Sequence, residues 1–325
     1  MLEKKSMLKN VKILVAKKSN LLQSAVSILE EDGVVIIRDL FKKKIISDLD
    51  EKWKLYFRKP TVSGTIGYHR TSHPKADIPA FLLGRPSLEV ALEKKVINII
   101  EKIMKSECTL SEANAIWHRP TKYTYFPIHT DFKIGWKKSS NSKVSVSEKD
   151  LKKPLGIGTM LYMHDTSSGA FSYSLGSHKL KCKNGQHLEN YPPEVRQEIK
   201  KNIRICKGKK GDLVIFDDRG FHGPDQPSNA HRSVLLFDYY RNDTFGSVVV
   251  VSHLVRITDL AHLNNKQLKV LGLKSKELVE SDKYVGTRFK NNFFFSKITW
   301  FIDKAYFFTH LKSIFKSIIL KKIVK

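Results

Sequence analysis

The stretch from residue 115 to residue 240 consists of short apolar runs separated by turn-forming residues. Such a pattern is typical of a barrel or a sandwich, because each short strand is followed by a turn that reverses the chain. It therefore predicts a mainly β core over 115–240. The strands expected in this core are 122–126, 158–163, 170–174, 213–216 and 234–239.

Helical periodicity precedes this core. Apolar residues three and four apart, beginning at Leu21, indicate a helix that ends at the turn pair Asp32-Gly33. A buried strand is expected directly after this turn, over 34–37. The helices predicted in this part of the chain are 21–31, 45–57 and 87–104.

The C-terminal part of the chain has a different pattern. In 293–325, Phe and Ile recur on one side of a predicted helix and lysines such as Lys304 and Lys312 recur on the other. Charges interrupt every window of the roughly 20 apolar residues that a bilayer-crossing helix needs. The segment is therefore predicted to be a basic amphipathic helix, which either lies in an anionic membrane surface or packs on the protein or a partner. We assign 1–245 to one α+β domain and 246–325 to a C-terminal extension.

The chain is strongly basic, with 58 Lys and Arg against 32 Asp and Glu and a formal net charge of +26. The positive electrostatic field of such a chain attracts nucleic acid, acidic lipid head groups, or phosphorylated and carboxylated metabolites. Because the lysines are scattered along the chain, a general lysine-rich composition explains the charge equally well. The expected substrate is therefore a small-molecule or lipid-linked anion, with nucleic acid as the alternative.

Three cysteines are too few for a disulfide framework and none has a zinc-like spacing, which favours a reducing compartment. The first twenty residues carry only a short apolar run between lysines, unlike the h-region of a signal peptide. The expected location is the cytoplasm, with peripheral contact at the inner face of a membrane through 293–325.

Candidate metal ligands follow one predicted strand. On an extended backbone His129 and Asp131 point to the same side, so an imidazole and a carboxylate can converge on one ion. His187-Leu188-Glu189 has a similar form. A third ligand from a distant strand would complete the two-histidine, one-carboxylate facial triad of non-haem iron(II) oxygenases. His222, which follows the apolar run Leu213 to Phe216, is the candidate.

Arg232 opens the last apolar run, ten residues after His222. The intervening Pro- and Asn-containing loop turns the chain, so Arg232 can return beside His222 in a neighbouring antiparallel strand. A guanidinium there would bind a carboxylate through two parallel hydrogen bonds, which lysine cannot do. His231 is a less suitable ligand, because adjacent residues of a strand face opposite sides.

These segments together resemble the phytanoyl-CoA dioxygenase family over residues 22–240. LEEDGVVIIRDLFKKKIISDL is similar to the N-terminal helix, strand and helix of the family, and PIHTD to its metal-binding triplet. GAFSYSLGSHK, GDLVIFDDRGFHGP and HRSVLLFDYY are similar to its later motifs. Leu175 stands where the family usually has proline, and nothing after Asn242 has a counterpart.

The resemblance implies a double-stranded β-helix, or jelly roll, and an oxygenase that uses Fe(II), 2-oxoglutarate and O2. In this interpretation His129, Asp131 and His222 bind the iron, and Arg232 binds the distal carboxylate of 2-oxoglutarate. Hydroxylation of the substrate would yield succinate and CO2 as co-products. No catalytic residue is assigned beyond the metal centre.

Several further residues have either a functional or a structural role. Thr159, Tyr162 and Tyr125 lie on predicted strands, where their hydroxyl groups either contact 2-oxoglutarate or simply pack. A polar loop with His69, Arg70 and His73 either lines the substrate entrance or is plain surface. Two other functions stay open: oxidative demethylation of nucleic acid, and a membrane-attached binding module without turnover.

Overall fold

A computed structural model of the chain describes residues 10–57, 75–124, 126–137, 144–166, 168–180, 185–245, 255 and 257–273. Its strands are Ile13–Val15 (β1), Val34–Arg38 (β2), Lys75–Pro79 (β3), Cys108–His118 (β4), Gly156–Tyr162 (β5), Phe171–Ser174 (β6), Ile203–Cys206 (β7), Leu213–Asp217 (β8), His222–Pro224 (β9) and Arg232–Arg241 (β10). Its α-helices are Leu21–Asp32 (α1), Lys43–Phe57 (α2), Arg85–Ala91 (α3), Lys94–Met104 (α4), Pro193–Asn202 (α5), Asn242–Phe245 (α6), Ile257–Leu260 (α7) and Asn265–Val270 (α8).

The strands form two sheets, and the fold is mixed α and β. The larger sheet has seven strands in the order β1-β2-β8-β5-β10-β4-β3, and the smaller has three in the order β7-β6-β9. The β1–β2 pair is parallel, whereas the other strand pairs of both sheets are antiparallel. Strands distant in sequence, such as β2 and β8, are therefore direct neighbours.

The two faces of the large sheet pack into different cores. Ile157 and Phe237 face the helices and share the main core with Leu29 of α1 and Ile100 of α4. The opposite face, called the inner face below, shares a second core with the small sheet. That core contains Met160, Tyr162, Val214, Phe216 and Val234 of the large sheet with Phe171, Tyr173 and Cys206 of the small one.

The N-terminal helix and strand confirm the sequence prediction. Gly33 ends α1 in the left-handed conformation, with a φ of 81°, and its N–H donates to the carbonyl of Leu29 at 3.0 Å. A Cβ at Gly33 would lie 2.4 Å from the hydroxyl of Tyr173, so a glycine is needed for packing as well as for the turn. β2 follows directly and is almost completely buried.

The single helix predicted over 87–104 is wrong, since α3 and α4 are separate helices. Glu93 adopts an extended conformation between them, and its side chain accepts a hydrogen bond from the N–H of Lys95 at 3.2 Å. The phenol of Tyr239 donates to the carbonyl of Ala91 at 2.6 Å. Tyr239 of β10 thus supplies a hydrogen-bond donor for a carbonyl at the C-terminal end of α3. Local periodicity cannot reveal this contact.

One predicted strand is wrong, and one observed strand is missing from the prediction. The described residues of the predicted strand 122–126 form bends rather than a strand. β4, which has eleven residues, was not predicted. Its sequence contains Ser111, Glu112 and Asn114, and these polar residues disguise the alternation expected of a half-buried strand.

Part of the predicted C-terminal extension packs with the main core. Leu260, Leu268 and Leu271 are buried in it, and Lys266 forms an ion pair with Glu101 of α4. The amphipathic helix predicted over 293–325 lies outside the described residues. Within the ranges that the structure describes, none of the helices is both long and apolar enough to cross a membrane.

Candidate metal centre

His129, Asp131 and His222 converge on one point. The Nε2 atom of His129 lies 3.4 Å from one carboxylate oxygen of Asp131, and the Nε2 atom of His222 lies 3.4 Å from the other. The three ligand atoms all lie within 4.8 Å of one another. Two imidazoles and one carboxylate at this separation can hold a divalent transition metal and leave coordination positions open.

Backbone hydrogen bonds hold the two histidines side by side. The N–H of His129 donates to the carbonyl of His222 at 3.0 Å, and the N–H of His222 donates to the carbonyl of His129 at 2.8 Å. His222 is the first residue of β9, which pairs with β6 in the small sheet. The segment carrying His129 is therefore fixed to the edge of that sheet.

The ring orientation of both histidines is set by their Nδ1 atoms. Nδ1 of His129 donates to the carbonyl of Pro127 at 3.0 Å, and Nδ1 of His222 donates to the carbonyl of Gly220 at 2.9 Å. A carbonyl can only accept, so each neutral ring carries its proton on Nδ1 and presents a lone pair at Nε2. This is the protonation that metal binding through Nε2 requires.

Aromatic rings surround His222. The rings of Phe216 and Phe171 lie 5.0 Å and 5.6 Å from it, and the ring of Tyr173 is stacked parallel to it at 6.4 Å. Burial among these rings lowers the pKa of His222 to about 4. The imidazole is thus neutral at pH 7 and ready to bind a metal.

The other two ligands are more exposed. The side chain of Asp131 is 34% exposed and that of His129 is 14% exposed, against 7% for His222, so the centre opens on the Asp131 side. Burial lowers the pKa of His129, but the hydrogen bond and charge of Asp131 outweigh it and the net shift is upward. Burial likewise raises the pKa of Asp131. The nearby His222 and His129 outweigh burial, so the pKa of Asp131 lies below its usual value.

Arg232 lies on the inner face of the large sheet. It is buried, its Nη1 donates to Nδ1 of His118 at 3.1 Å, and its Nη2 lies 2.9 Å from the sulfur of Met160. His118 is directly opposite Arg232 in the β4–β10 ladder. Met160 belongs to the same core as Phe216, whose ring contacts His222. Arg232 thus shares the inner face of the large sheet with Phe216, the residue whose ring lies beside His222.

The structure does not bring Thr159 to this region. Its hydroxyl donates to the carbonyl of Phe237 at 3.3 Å. Because side chains alternate along β5, Thr159 shares the helix-facing side with Ile157 and Leu161, opposite Met160. The expected contact with 2-oxoglutarate is therefore not supported for this residue.

Tyr162 does lie on the inner face, but its hydroxyl has another role. It donates to the carbonyl of Cys206 at 2.6 Å and accepts from the N–H of Phe171 at 3.1 Å. This hydroxyl therefore ties β5 to the small sheet. Tyr125, His69, Arg70 and His73 lie outside the described residues.

The alternative histidines have other environments. His231 is exposed and stacks on Trp117 at 5.1 Å, on the side of β10 opposite to Arg232. His187 and Glu189 of the second triplet are both exposed. The preference for His222 as third ligand agrees with these positions.

Sequence reasoning missed the carboxyl groups beside the centre. Glu112 of β4 and Asp238 of β10 are opposite each other on the inner face, and Asp218 follows β8. Burial, together with the charges of Asp238 and Asp131, raises the pKa of Asp218 well above its usual value. The alternation of β10 could have placed Asp238 on the inner face, but β4 was needed to find Glu112.

A cavity of about 710 Å³ lies elsewhere and contains none of the three ligands in its lining. Two of its basic residues, Arg219 and Arg241, already form ion pairs with Asp217 and Asp243. These arginines are neutralised within the protein, and we assign no chemistry to this cavity.

The fold is similar to that of solved structures of EctD from S. alaskensis. The apoform aligns with a TM-score of 0.53 and 14% sequence identity, over 77% of this chain and 89% of that chain. The form with bound Fe aligns with a TM-score of 0.52 and 13% sequence identity, over 68% of this chain and 77% of that chain. The form with 2-oxoglutarate and 5-hydroxyectoine aligns with a TM-score of 0.51 and 15% sequence identity, over 68% of this chain and 76% of that chain.

The TM-scores indicate a shared fold, and sequence identities this low show nothing beyond the fold. No protein-family model matches the sequence. No curated protein matches it either. The resemblance to the phytanoyl-CoA dioxygenase family therefore stays a prediction.

Proposed function

We propose that the protein is an Fe(II)- and 2-oxoglutarate-dependent oxygenase that hydroxylates a small-molecule, lipid-linked or glycan-linked substrate. The observation that carries this proposal is the convergence of His129, Asp131 and His222, with both Nε2 atoms 3.4 Å from the carboxylate oxygens. This donor set is the one that non-haem Fe(II) oxygenases use. Two of the EctD structures, which share the fold, contain Fe or 2-oxoglutarate, and this supports the same cofactors here.

The residues of this chain have distinct tasks in such a reaction. Fe(II) held by these residues would supply the oxidising chemistry together with 2-oxoglutarate and O2, with succinate and CO2 as co-products. His129 and His222 contribute neutral nitrogen donors whose direction is set by Pro127 and Gly220. Asp131 contributes the negative charge, and the Phe residues around His222 keep bulk water from that side.

Arg232 is the residue that we propose binds the distal carboxylate of 2-oxoglutarate. Its guanidinium is permanently charged, and its planar fork matches a carboxylate through two parallel hydrogen bonds. The contact of Nη1 with His118 fixes the plane of the fork. The inner face beside it is otherwise apolar, with Met160 and Val234, which strengthens an ion pair by excluding water.

The finer assignments rest on the sequence motifs. We propose a double-stranded β-helix core and a subclass similar to the phytanoyl-CoA dioxygenases. We also propose that 293–325 contacts an anionic membrane from the cytoplasmic side. Flotation with anionic liposomes, comparing the full chain with a chain ending at residue 292, tests this contact, and equal flotation of both would contradict it.

The oxygenase proposal is tested by anaerobic titration. Fe(II)-loaded protein is mixed with 2-oxoglutarate, and the visible charge-transfer band of the chelated keto acid is recorded. O2 is then admitted and succinate is measured. Wild type should show both signals, whereas His129→Ala and Asp131→Ala should lose both.

His262→Ala is the matched control, because this histidine is exposed and lies between α7 and α8. It should behave as wild type. Absence of the band in folded, Fe(II)-treated wild type would contradict the proposal. A band without any succinate would instead favour a binding module on the same fold.

A further inference from the structure

Arg232 lies between two histidines on the inner face of the large sheet. His118 is directly opposite Arg232 in the ladder of β4 and β10. His164 follows β5, which pairs with the other edge of β10. We call these three residues, one from each of three adjacent chain segments, the basic row.

The register of β5 and β10 places His164 on the same face as Arg232. Val234 is opposite Tyr162 in this ladder. The pairing continues beyond them, because the carbonyl of Ser233 accepts from the N–H of the residue after Tyr162 at 2.9 Å. Side chains alternate along paired strands, so Arg232 and His164 are the next neighbours on the inner face. Burial lowers the pKa of His164 and the charge of Arg232 lowers it further, which agrees with their proximity.

The hydrogen bond from Arg232 determines the protonation of His118. Nη1 of Arg232 lies 3.1 Å from Nδ1 of His118. A guanidinium can only donate, so Nδ1 carries no proton and the neutral ring has its proton on Nε2. This Nε2 is buried, so His118 has an N–H donor inside the protein.

His164 has the same protonation for a different reason. Its Nδ1 lies 3.2 Å from both the backbone nitrogen and the carbonyl oxygen of Ser233. The carbonyl already accepts from the N–H of Met163, so the N–H of Ser233 is the group that uses the ring as its acceptor. Nε2 of His164 therefore carries the proton. It is buried and, within the described part of the chain, has no hydrogen-bond partner.

A buried N–H donor without an acceptor is costly, so the Nε2–H of His164 calls for a ligand. Neighbouring side chains on one face of an antiparallel pair have Cβ atoms about 4.5–5.5 Å apart. Both imidazoles can thus reach a group that Arg232 holds. Because the two rings are neutral, they do not compensate the charge of Arg232. The acceptor that suits all three residues is an anion with several lone pairs, such as a carboxylate.

We propose that His118 and His164 bind the distal carboxylate of 2-oxoglutarate together with Arg232, each donating a hydrogen bond through Nε2. This inference rests on the proposed oxygenase function. The basic row would then select a keto acid that carries a second carboxylate. A 2-oxo acid of the same length that ends in a methyl group would leave the three donors unsatisfied.

The test compares 2-oxoglutarate with 2-oxopentanoate, which has the same five-carbon chain without the distal carboxylate. Each is titrated anaerobically into Fe(II)-loaded protein, and the charge-transfer band is recorded. His118→Asn and His164→Asn remove the donor at Nε2 but leave an acceptor near the position of Nδ1. Each should raise the dissociation constant of 2-oxoglutarate at least about tenfold, because a hydrogen bond to a charged group is lost. The dissociation constant of 2-oxopentanoate should not change.

His231→Asn is the matched control. This histidine adjoins Arg232 in sequence, but it is exposed and stacks on Trp117 on the opposite side of β10. The control should bind 2-oxoglutarate as wild type does. His164→Gln is a second variant, since its amide nitrogen extends about as far as Nε2, and it should recover part of the affinity that His164→Asn loses. Co(II) titration of every variant verifies that the metal centre is intact.

Three results would overturn the inference alone, in protein that still gives the band. The first is equal affinity of wild type for the two keto acids, which needs no variant. The second is 2-oxoglutarate binding by His118→Asn and His164→Asn that equals the His231→Asn control. The third is an equal loss of affinity for both keto acids, because a merely structural role does not depend on the distal carboxylate. A missing band in wild type would overturn the oxygenase proposal, and this inference with it.

Discussion

His129 and His222 exchange both of their backbone hydrogen bonds, at 3.0 and 2.8 Å, although they come from distant parts of the chain. Their ring centroids lie 4.7 Å apart as a result. The separation of two metal ligands is thus set by backbone pairing, which is stiffer than side-chain packing. A centre held in this way needs little rearrangement to receive a metal.

Removing the carboxylate should abolish tight metal binding. Asp131→Ala takes away the charged member of the triad, and we expect Co(II) affinity to fall at least about 100-fold, or about 2.7 kcal/mol. The variant should still fold, because the side chain is 34% exposed. Titration of Co(II) followed by its visible absorption measures the loss, with Glu189→Gln as the control. Unchanged affinity would exclude Asp131 as a ligand.

Metal affinity should fall as the pH decreases. Bound imidazoles must be deprotonated, and the pKa of His129 is raised above its usual 6.5 because Asp131 outweighs the opposing effect of burial. His129 is therefore more than half protonated at pH 6.5, and metal binding should release between half a proton and one proton there. His222, with a pKa of about 4, should release none there. Calorimetry in buffers of different ionisation enthalpy counts these protons, and release of two near pH 6.5 would contradict the assignment.

Arg232→Lys should weaken 2-oxoglutarate binding while sparing the metal. Lysine keeps the charge but cannot form two parallel hydrogen bonds to one carboxylate. We expect an increase of at least about tenfold in the dissociation constant of 2-oxoglutarate, or about 1.4 kcal/mol. The exposed Arg85→Lys serves as control. If the two variants bind 2-oxoglutarate equally well, another residue holds its distal carboxylate.

Gly158→Ala should destabilise the fold and disturb the centre together. A Cβ at this position would lie 2.2 Å from the ring of Phe216, which in turn contacts His222 at 5.0 Å. Overpacking of this kind costs about 1–3 kcal/mol of unfolding free energy. Denaturant unfolding measures the cost, and Co(II) titration the effect on the centre. Gly223→Ala, whose nearest neighbour atom would be 3.2 Å away, should cost less. A similar cost in both would argue against a packing role for Gly158.

Local sequence predicted those elements whose pattern depends on near neighbours. Three features depend only on residues that are close together in the chain: the apolar spacing of α1, the left-handed turn at Gly33 and the buried run of β2. The shared direction of His129 and Asp131 likewise depends only on an extended backbone. In contrast, the sequence pattern predicts α3 and α4 as one helix. The hydrogen bond from Tyr239 to Ala91 at the end of α3 comes from β10, which is distant in sequence.

The chemical types of the site were determined by the sequence itself: two histidines, a carboxylate and an arginine that opens a strand. Only the tertiary structure decided which of these groups meet and what lies beside them. The pairing of β9 with β6, and of the segment at His129 with His222, unites the ligands. The register of β4 against β10 places Glu112 opposite Asp238. Strand register and sheet order arise from contacts between residues far apart in the chain, so no local pattern contains them.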